Sequence, residues 1–249
     1  QPTASSSAGA GATGNLIQGN YIGSDAGGSG PLPNTPTVGG IQLTNGASGN
    51  TIGGAVAGAG NVVSGNTTHA ISVFGSTTND NVIQGNFIGT GPGGTTRIAN
   101  GGIGVDVVST QRTIVGGPGL ARNVISGNGT GIQIRTGAVG TKVQGNYIGL
   151  NAAGTAVIFN SLGISINSNA GVNTIGGTGA GEGNLIAFNS LRGVRVSDGT
   201  GNTIRGNAIH SNSLGIDLGP HSVVTAHLID GDAAGDSRRI RCVLVRLRD

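Results

Sequence analysis

The sequence has no tryptophan, no methionine and a single cysteine, Cys242. One cysteine excludes an internal disulfide framework. The missing tryptophan removes the strongest side chain for stacking on sugar rings. A chain without methionine reads as processed or as a fragment, and Gln1 opens partway through a repeat. Charged residues are 9% of the chain, and isoleucine and valine recur at fixed spacings, which argues against glycine-rich disorder. No apolar run approaches the ~20 residues of a membrane span. No signal peptide stands in the sequence, so none existed or it was removed. The formal charge of +3 misleads, because five arginines (238, 239, 241, 246 and 248) crowd the last residues. Residues 1–237 carry eight basic groups against nine acidic ones, a net −1. That body lacks the basic field of a nucleic-acid binder, so nucleic acid is not an expected partner.

What is present is glycine, 52 of 249 residues, far above the usual ~7%. There is no Gly-X-Y period, so collagen is excluded. The pattern Ile-x-(Val/Ile/Leu) instead recurs at Ile41, Ile71, Ile103, Ile132, Ile164, Val194 and Ile216. The first five intervals, taken in overlapping pairs, sum to 62, 61, 61 and 62, so long and short variants alternate. A second column is Ile17, Ile52, Ile83, Ile114, Val143, Ile175 and Ile204. A third is Ile22, Val63, Ile88, Ile125, Ile148, Ile186 and Ile209. Second and third are 5 residues apart, or 11 where a glycine-rich insert intervenes. Larger inserts alternate with short links between the third column and the next first column.

Three short strands at a basic period of 22 describe a coil that returns to its start. Such strands cannot bury a face alone, so each coil must stack on the next. Alternation along a strand points each Ile or Val column inward. Asparagine and glycine at the corners suit bends with positive φ. Asn20, Asn86, Asn146 and Asn207 share one corner and are expected to form an amide ladder.

The repeated GNxIxGNxIG and GIxV segments, from about 14 to 219, resemble the right-handed parallel β-helix repeat family, the pectin-lyase-like fold. The expectation is an all-β solenoid of about seven coils, three short strands each. No 3.6 period supports a helical solenoid, and the strict hexapeptide period of a left-handed β-helix is missing. Residues 1–13 read as a frayed or truncated first coil. Residues 220–249 read as a cap or tail of different composition, in which 242–248 alternates like a strand.

Outward positions on the first strand form two columns. One is Gln42, Ser72, Gly104, Gln133, Ser165, Arg195 and Asp217; the other is Thr44, Phe74, Asp106, Arg135, Asn167, Ser197 and Gly219. With coils ~4.8 Å apart, Asp217 falls beside Arg195 and Asp106 beside Arg135. These four are the candidate catalytic residues, or else two surface ion pairs. The resemblance implies clustered acids with Gly-His-Gly and Arg-x-Lys motifs in hydrolases, or acids around Ca²⁺ with a basic residue in lyases. None of these signatures stands here. Glycoside hydrolysis needs two carboxylates ~5–10 Å apart, and no two acids line up on adjacent coils. His210, Ser211 and Asp217 lie close in sequence but belong to different strands, so they read as surface groups.

Beside the third column runs an apolar stripe of Tyr21, Val62, Phe87, Val124, Tyr147, Leu185 and Ala208. Either the inserts fold over it, or Tyr21, Phe87 and Tyr147 are binding residues for a sugar polymer or a protein surface. Asp230, Asp232 and Asp236 resemble a Ca²⁺ loop loosely; the EF-hand spacing and final Glu are missing. Otherwise no cofactor is expected. The leading expectation is a non-catalytic scaffold, adhesin or glycan binder, placed by the resemblance outside the cell or on its surface. The alternative is a polysaccharide lyase or hydrolase. An ice-binding face would need ranks of Thr-x-Thr, and only Thr35 and Thr37 fit.

Overall fold

In the computed structural model the chain is described over residues 6–8, 11–34 and 39–227, with side chains over 11–34 and 39–219. Asp230, Asp232, Asp236, the 242–248 segment and the Thr35/Thr37 pair lie outside these residues. The described chain is a right-handed parallel β-helix: every named strand pairs in parallel with its equivalent one coil away.

The first coil carries β1 (Ser6–Ala8), β2 (Leu16–Ile17) and β3 (Tyr21–Ile22). The second carries β4 (Ile41–Thr44), β5 (Thr51–Gly53) and β6 (Val62–Val63). The third has β7 (Ile71–Phe74), β8 (Val82–Gln84) and β9 (Phe87–Ile88); the fourth has β10 (Ile103–Val108), β11 (Ile114–Gly116) and β12 (Val124–Ile125). The fifth has β13 (Thr130–Arg135), β14 (Lys142–Gln144) and β15 (Tyr147–Ile148); the sixth has β16 (Leu162–Ile166), β17 (Thr174–Gly176) and β18 (Leu185–Ala187). In the seventh, β19 (Arg192–Arg205) supplies the first two strands and β20 (Ala208–His210) the third. Finally β21 (Leu214–His227) pairs along β19 as far as Arg205↔His227, so the stack runs past Gly219, where the repeat motifs stop. At the other end β1 pairs with β4, Ser6 opposite Gln42.

The third column stands as the sequence spaces it: Ile22, Val63, Ile88, Ile125, Ile148, Ile186 and Ile209 are in register. The other two columns need one correction each, both in the fourth coil. Val105, not Ile103, aligns with Ile71 and Ile132. The segment Ile103-Gly-Val-Asp-Val matches the repeat motif twice, and the backbone uses the second match. The reason is Gly104. It lies inside β10 between Ile103 and Val105, where an added Cβ would lie 3.0 Å from Ile125 Cγ2 and 2.6 Å from the Gly131 carbonyl. Likewise Val115, not Ile114, aligns with Ile83 and Val143. Gly116 turns with φ +88, as Gly53 and Gly176 do at +86 and +87, so the residue before the glycine is the inward one.

The columns form one continuous fully buried core, from Ile41 to Ile204. At ~25 cal/mol per Å² of apolar surface, this stacking is the main driving force, because no single coil has an interior.

Asparagine closes the coils at three corners. The expected ladder through Asn20, Asn86, Asn146 and Asn207 is denser than its alternate members. Asn20, Asn61, Asn86, Asn123, Asn146, Asn184 and Asn207 follow one per coil. Each donates Nδ2–H to the next Oδ1 at 2.8–3.0 Å. A second ladder joins Asn34, Asn66, Asn100, Asn128, Asn160, Asn189 and Asn212 at 2.9–3.2 Å. A third links Asn15, Asn50 and Asn81, then resumes from Asn173 to Asn202. Between its halves stand Thr113 and Thr141, both fully buried, and the Thr141 hydroxyl has no partner. Inner-rung amides also donate to an inward residue's carbonyl, as Asn123 does to Ile83 at 2.9 Å. The ladders thus satisfy corner backbone groups that the short strands leave unpaired.

Candidate functional site

The outer face of the first-strand sheet carries a polar row. Because Val105 is the inward residue, Asp106 belongs to this row and not to its neighbour. The row reads Gln42, Ser72, Asp106, Gln133, Ser165, Arg195 and Asp217. Beside it, Phe74, Val108 and Arg135 align. Arg135 therefore reaches Asp106 diagonally: Nε donates to Oδ1 at 3.0 Å and Nη2 to Oδ2 at 2.9 Å. Asp106 is 1% exposed although it lies on the outer face. The hydrogen-bonded carboxylate pushes the Arg135 guanidinium above its ordinary value, with burial opposing. A forked pair of this kind engages both carboxylate oxygens at once.

Arg195 and Asp217 are neighbours in register, as spaced in the sequence. The closer partner of Asp217 is Arg192, which the sequence columns did not mark; Arg195 Nε stands 3.8 Å from the same oxygen, Oδ2. Arg192 occupies an outward row with Ile103, Thr130 and Leu162. Only register could assign it there, because that row, which continues to Leu214, mixes Ile, Thr, Leu and Arg.

The other described acids are engaged too. Asp80 takes a two-point contact from Arg112, Nε–Oδ1 2.6 Å and Nη2–Oδ2 2.7 Å. That contact holds the Asp80 carboxyl below its ordinary value. Asp25 accepts the Ser29 N–H and Oγ–H, each at 2.8 Å, which lowers its pKa. Asp198 accepts the Asn169 N–H at 2.7 Å, and Glu182 accepts the Gly179 N–H at 2.8 Å. His210 Nδ1 lies 3.1 Å from Ser211 Oγ, but Asp217 is held by arginines on the other sheet, so no triad forms. Among the described residues no three His, Cys, Asp or Glu side chains gather as metal ligands would.

The apolar stripe is in register from Tyr21 to Ala208. Inserts of the first, third and fifth coils form miniature hairpins, bridged Ser24↔Pro31, Thr90↔Arg97 and Leu150↔Val157. Each lies against its own coil's aromatic ring. An added Cβ would sit 2.6 Å from the Tyr21 ring at Gly28, 3.0 Å from Phe87 at Gly94 and 3.2 Å from Tyr147 at Gly154. The Arg122 guanidinium lies 4.0 Å from the Tyr147 ring centroid. Phe87 and Tyr147 are half-buried in this way, whereas Tyr21 at the first coil stays 46% exposed. Phe74, placed by the sequence in the outward column but not named there as a binding residue, is 49% exposed beside the polar row.

Set beside known proteins, the chain matches no family, no curated sequence and no solved structure. The solenoid fold therefore rests on its own strand register. No described helix is long and apolar enough to cross a membrane.

Proposed function

We propose that this β-helix is a non-catalytic extracellular or cell-surface repeat domain, a rigid scaffold whose outer face holds a glycan or a partner protein. One observation carries the reading: all six described acids are engaged in structural contacts, Asp25, Asp80 and Asp106 through several hydrogen bonds, Asp217 by the charges of Arg192 and Arg195, and Asp198 and Glu182 through single backbone N–H groups. Sugar-cleaving chemistry needs a free proton donor and a base or nucleophile across one bond. The polar row supports the binding role. It runs along the helix axis with one group per coil, ~4.8 Å apart, and is edged by the exposed Phe74 ring. The location rests on the likeness of the repeats to pectin-lyase-like proteins.

A polysaccharide array read for both binding and cleavage tests this. Retention without release of reducing ends or unsaturated products, with or without Ca²⁺, is the expected result. Turnover that survives repurification and disappears in Asp106→Asn or Asp217→Asn would replace the reading with a lyase or hydrolase.

A further inference from the structure

Charge is matched one to one at two of the three outer ion pairs. Arg112 closes on Asp80 and Arg135 on Asp106, each through a two-point fork. The third site is different. The Nε atoms of Arg192 and Arg195 both lie near a single oxygen, Asp217 Oδ2, so among the described residues two positive charges share one carboxylate. The Arg192 Nε is buried without a well-aligned hydrogen bond. Neither arginine's terminal nitrogens bond to any described residue. Arg195 is 43% exposed, so these donors are open to solvent on the outer face. Next to Arg195 in register lies Ser165, whose Oγ accepts from Asn167 Nδ2 at 3.4 Å, so its own O–H is left to donate.

From this we infer that Arg192, Arg195 and Ser165 form an oxyanion-binding site at the C-terminal end of the polar row, taking a carboxylate, sulfate or phosphate group. The chemistry fits such a ligand. Guanidinium forks present paired N–H donors that match the oxygen spacing of these groups, and the surplus charge supplies the attraction. Asp217 holds the two arginines in place from one side, and the ligand completes their donors from the other. The site stands whether or not the outer face binds glycan.

The test follows the arginine Nε–H resonances while sodium sulfate is added at constant ionic strength. Saturable shifts of the Arg192 and Arg195 signals are expected, and these should weaken at least about fivefold in Arg195→Gln, as loss of a charge-assisted fork implies. Arg195→Lys, which keeps the charge and loses the fork, should fall between. Arg112→Gln, at another corner, should bind like the parent chain. No saturable shift, or an undiminished one in Arg195→Gln, would overturn the site and leave only a structural triad. A second arm compares a carboxylated oligosaccharide with its carboxyl-reduced neutral parent. Binding that exceeds sulfate by about tenfold, a 1.4 kcal/mol difference, and that needs Arg195 assigns the anion to a polymer. Binding no tighter than sulfate assigns the site to a free anion. Neutral-parent binding that ignores Arg195, together with sulfate and carboxylate binding that ignore it too, sinks this site while sparing the glycan reading.

Discussion

At the scale of single residues, one corner shows how backbone conformation limits side-chain choice. Gly14, Gly49, Asp80, Arg112, Gly140, Val172 and Gly201 occupy successive rungs, all with φ between 56° and 70°. Glycine accepts that conformation freely. Val172, β-branched and 63% exposed, does not, and no buried contact offsets the strain. Val172→Asn should therefore stabilise the protein by about 1 kcal/mol, because Asn enters the left-handed region far more readily than a β-branched residue. A higher urea midpoint at unchanged slope is the expected reading. Two rungs away the same corner carries the Asp80–Arg112 pair. The pair depresses the folded-state pKa of Asp80, so its small stabilising effect is present above the unfolded value and lost as pH falls through the folded one. Arg112→Gln should move the Asp80 titration midpoint upward toward its ordinary value in a carboxyl-carbon NMR titration.

At the scale of elements, the ladders matter as much as the strands. Asn123 is fully buried, donates to Ile83 O and Asn146 Oδ1, and accepts from Asn86. Asn123→Ala strands these groups, at about 1–3 kcal/mol for each one left unsatisfied. Asn20 ends its ladder and is partly in water, so Asn20→Ala should cost distinctly less. Equal losses by chemical denaturation would mean the rungs act independently of burial. The strands and their period were legible in the sequence because isoleucine and valine columns recur in step with glycine and asparagine. Three of the seven members of the Asn20–Asn207 ladder were missed: Asn61, Asn123 and Asn184 stand two residues before the third column as Asn20 does, but glycine-rich inserts separate them from the second column. A doubled motif hid the register at Ile103, and an adjacent Ile114–Val115 pair before the turning glycine hid it at Ile114. The polar row was read nearly whole, but Asp106 fell into the wrong column and Arg192 into none. A diagonal contact and an outward row without repetition leave no periodic trace.

At the scale of the whole molecule, stability is shared between neighbours along one axis. Ile132 and Ile175 lie in interior coils and are fully buried. Ile132→Ala or Ile175→Ala should each cost about 2–5 kcal/mol; a loss below about 0.5 kcal/mol, that of a surface change, would mean the column does not carry the core. Hydrogen exchange should protect β13 and β14 most and β2 and β3 least, since the end coil has a neighbour on one side only.

The interlocking of inserts and glycines sets a rule for length. Gly85 of the third coil lies between backbone of the second-coil and fourth-coil inserts, 2.1 Å from Gly54 O and 2.9 Å from Leu120 O for an added Cβ. Gly145 is wedged in the same way between Gly117 and Gly181. Odd and even coils are therefore complementary parts, and like parts cannot be adjacent. Such an array is expected to tolerate changes of length in whole pairs, a quantum of ~9.6 Å at two rungs of ~4.8 Å. Excising 71–131, one odd and one even coil, should leave a shorter protein that still folds cooperatively. Excising 71–104 alone would set two even coils together and jam their inserts. The unit of viable length change in this architecture is thus a pair of coils.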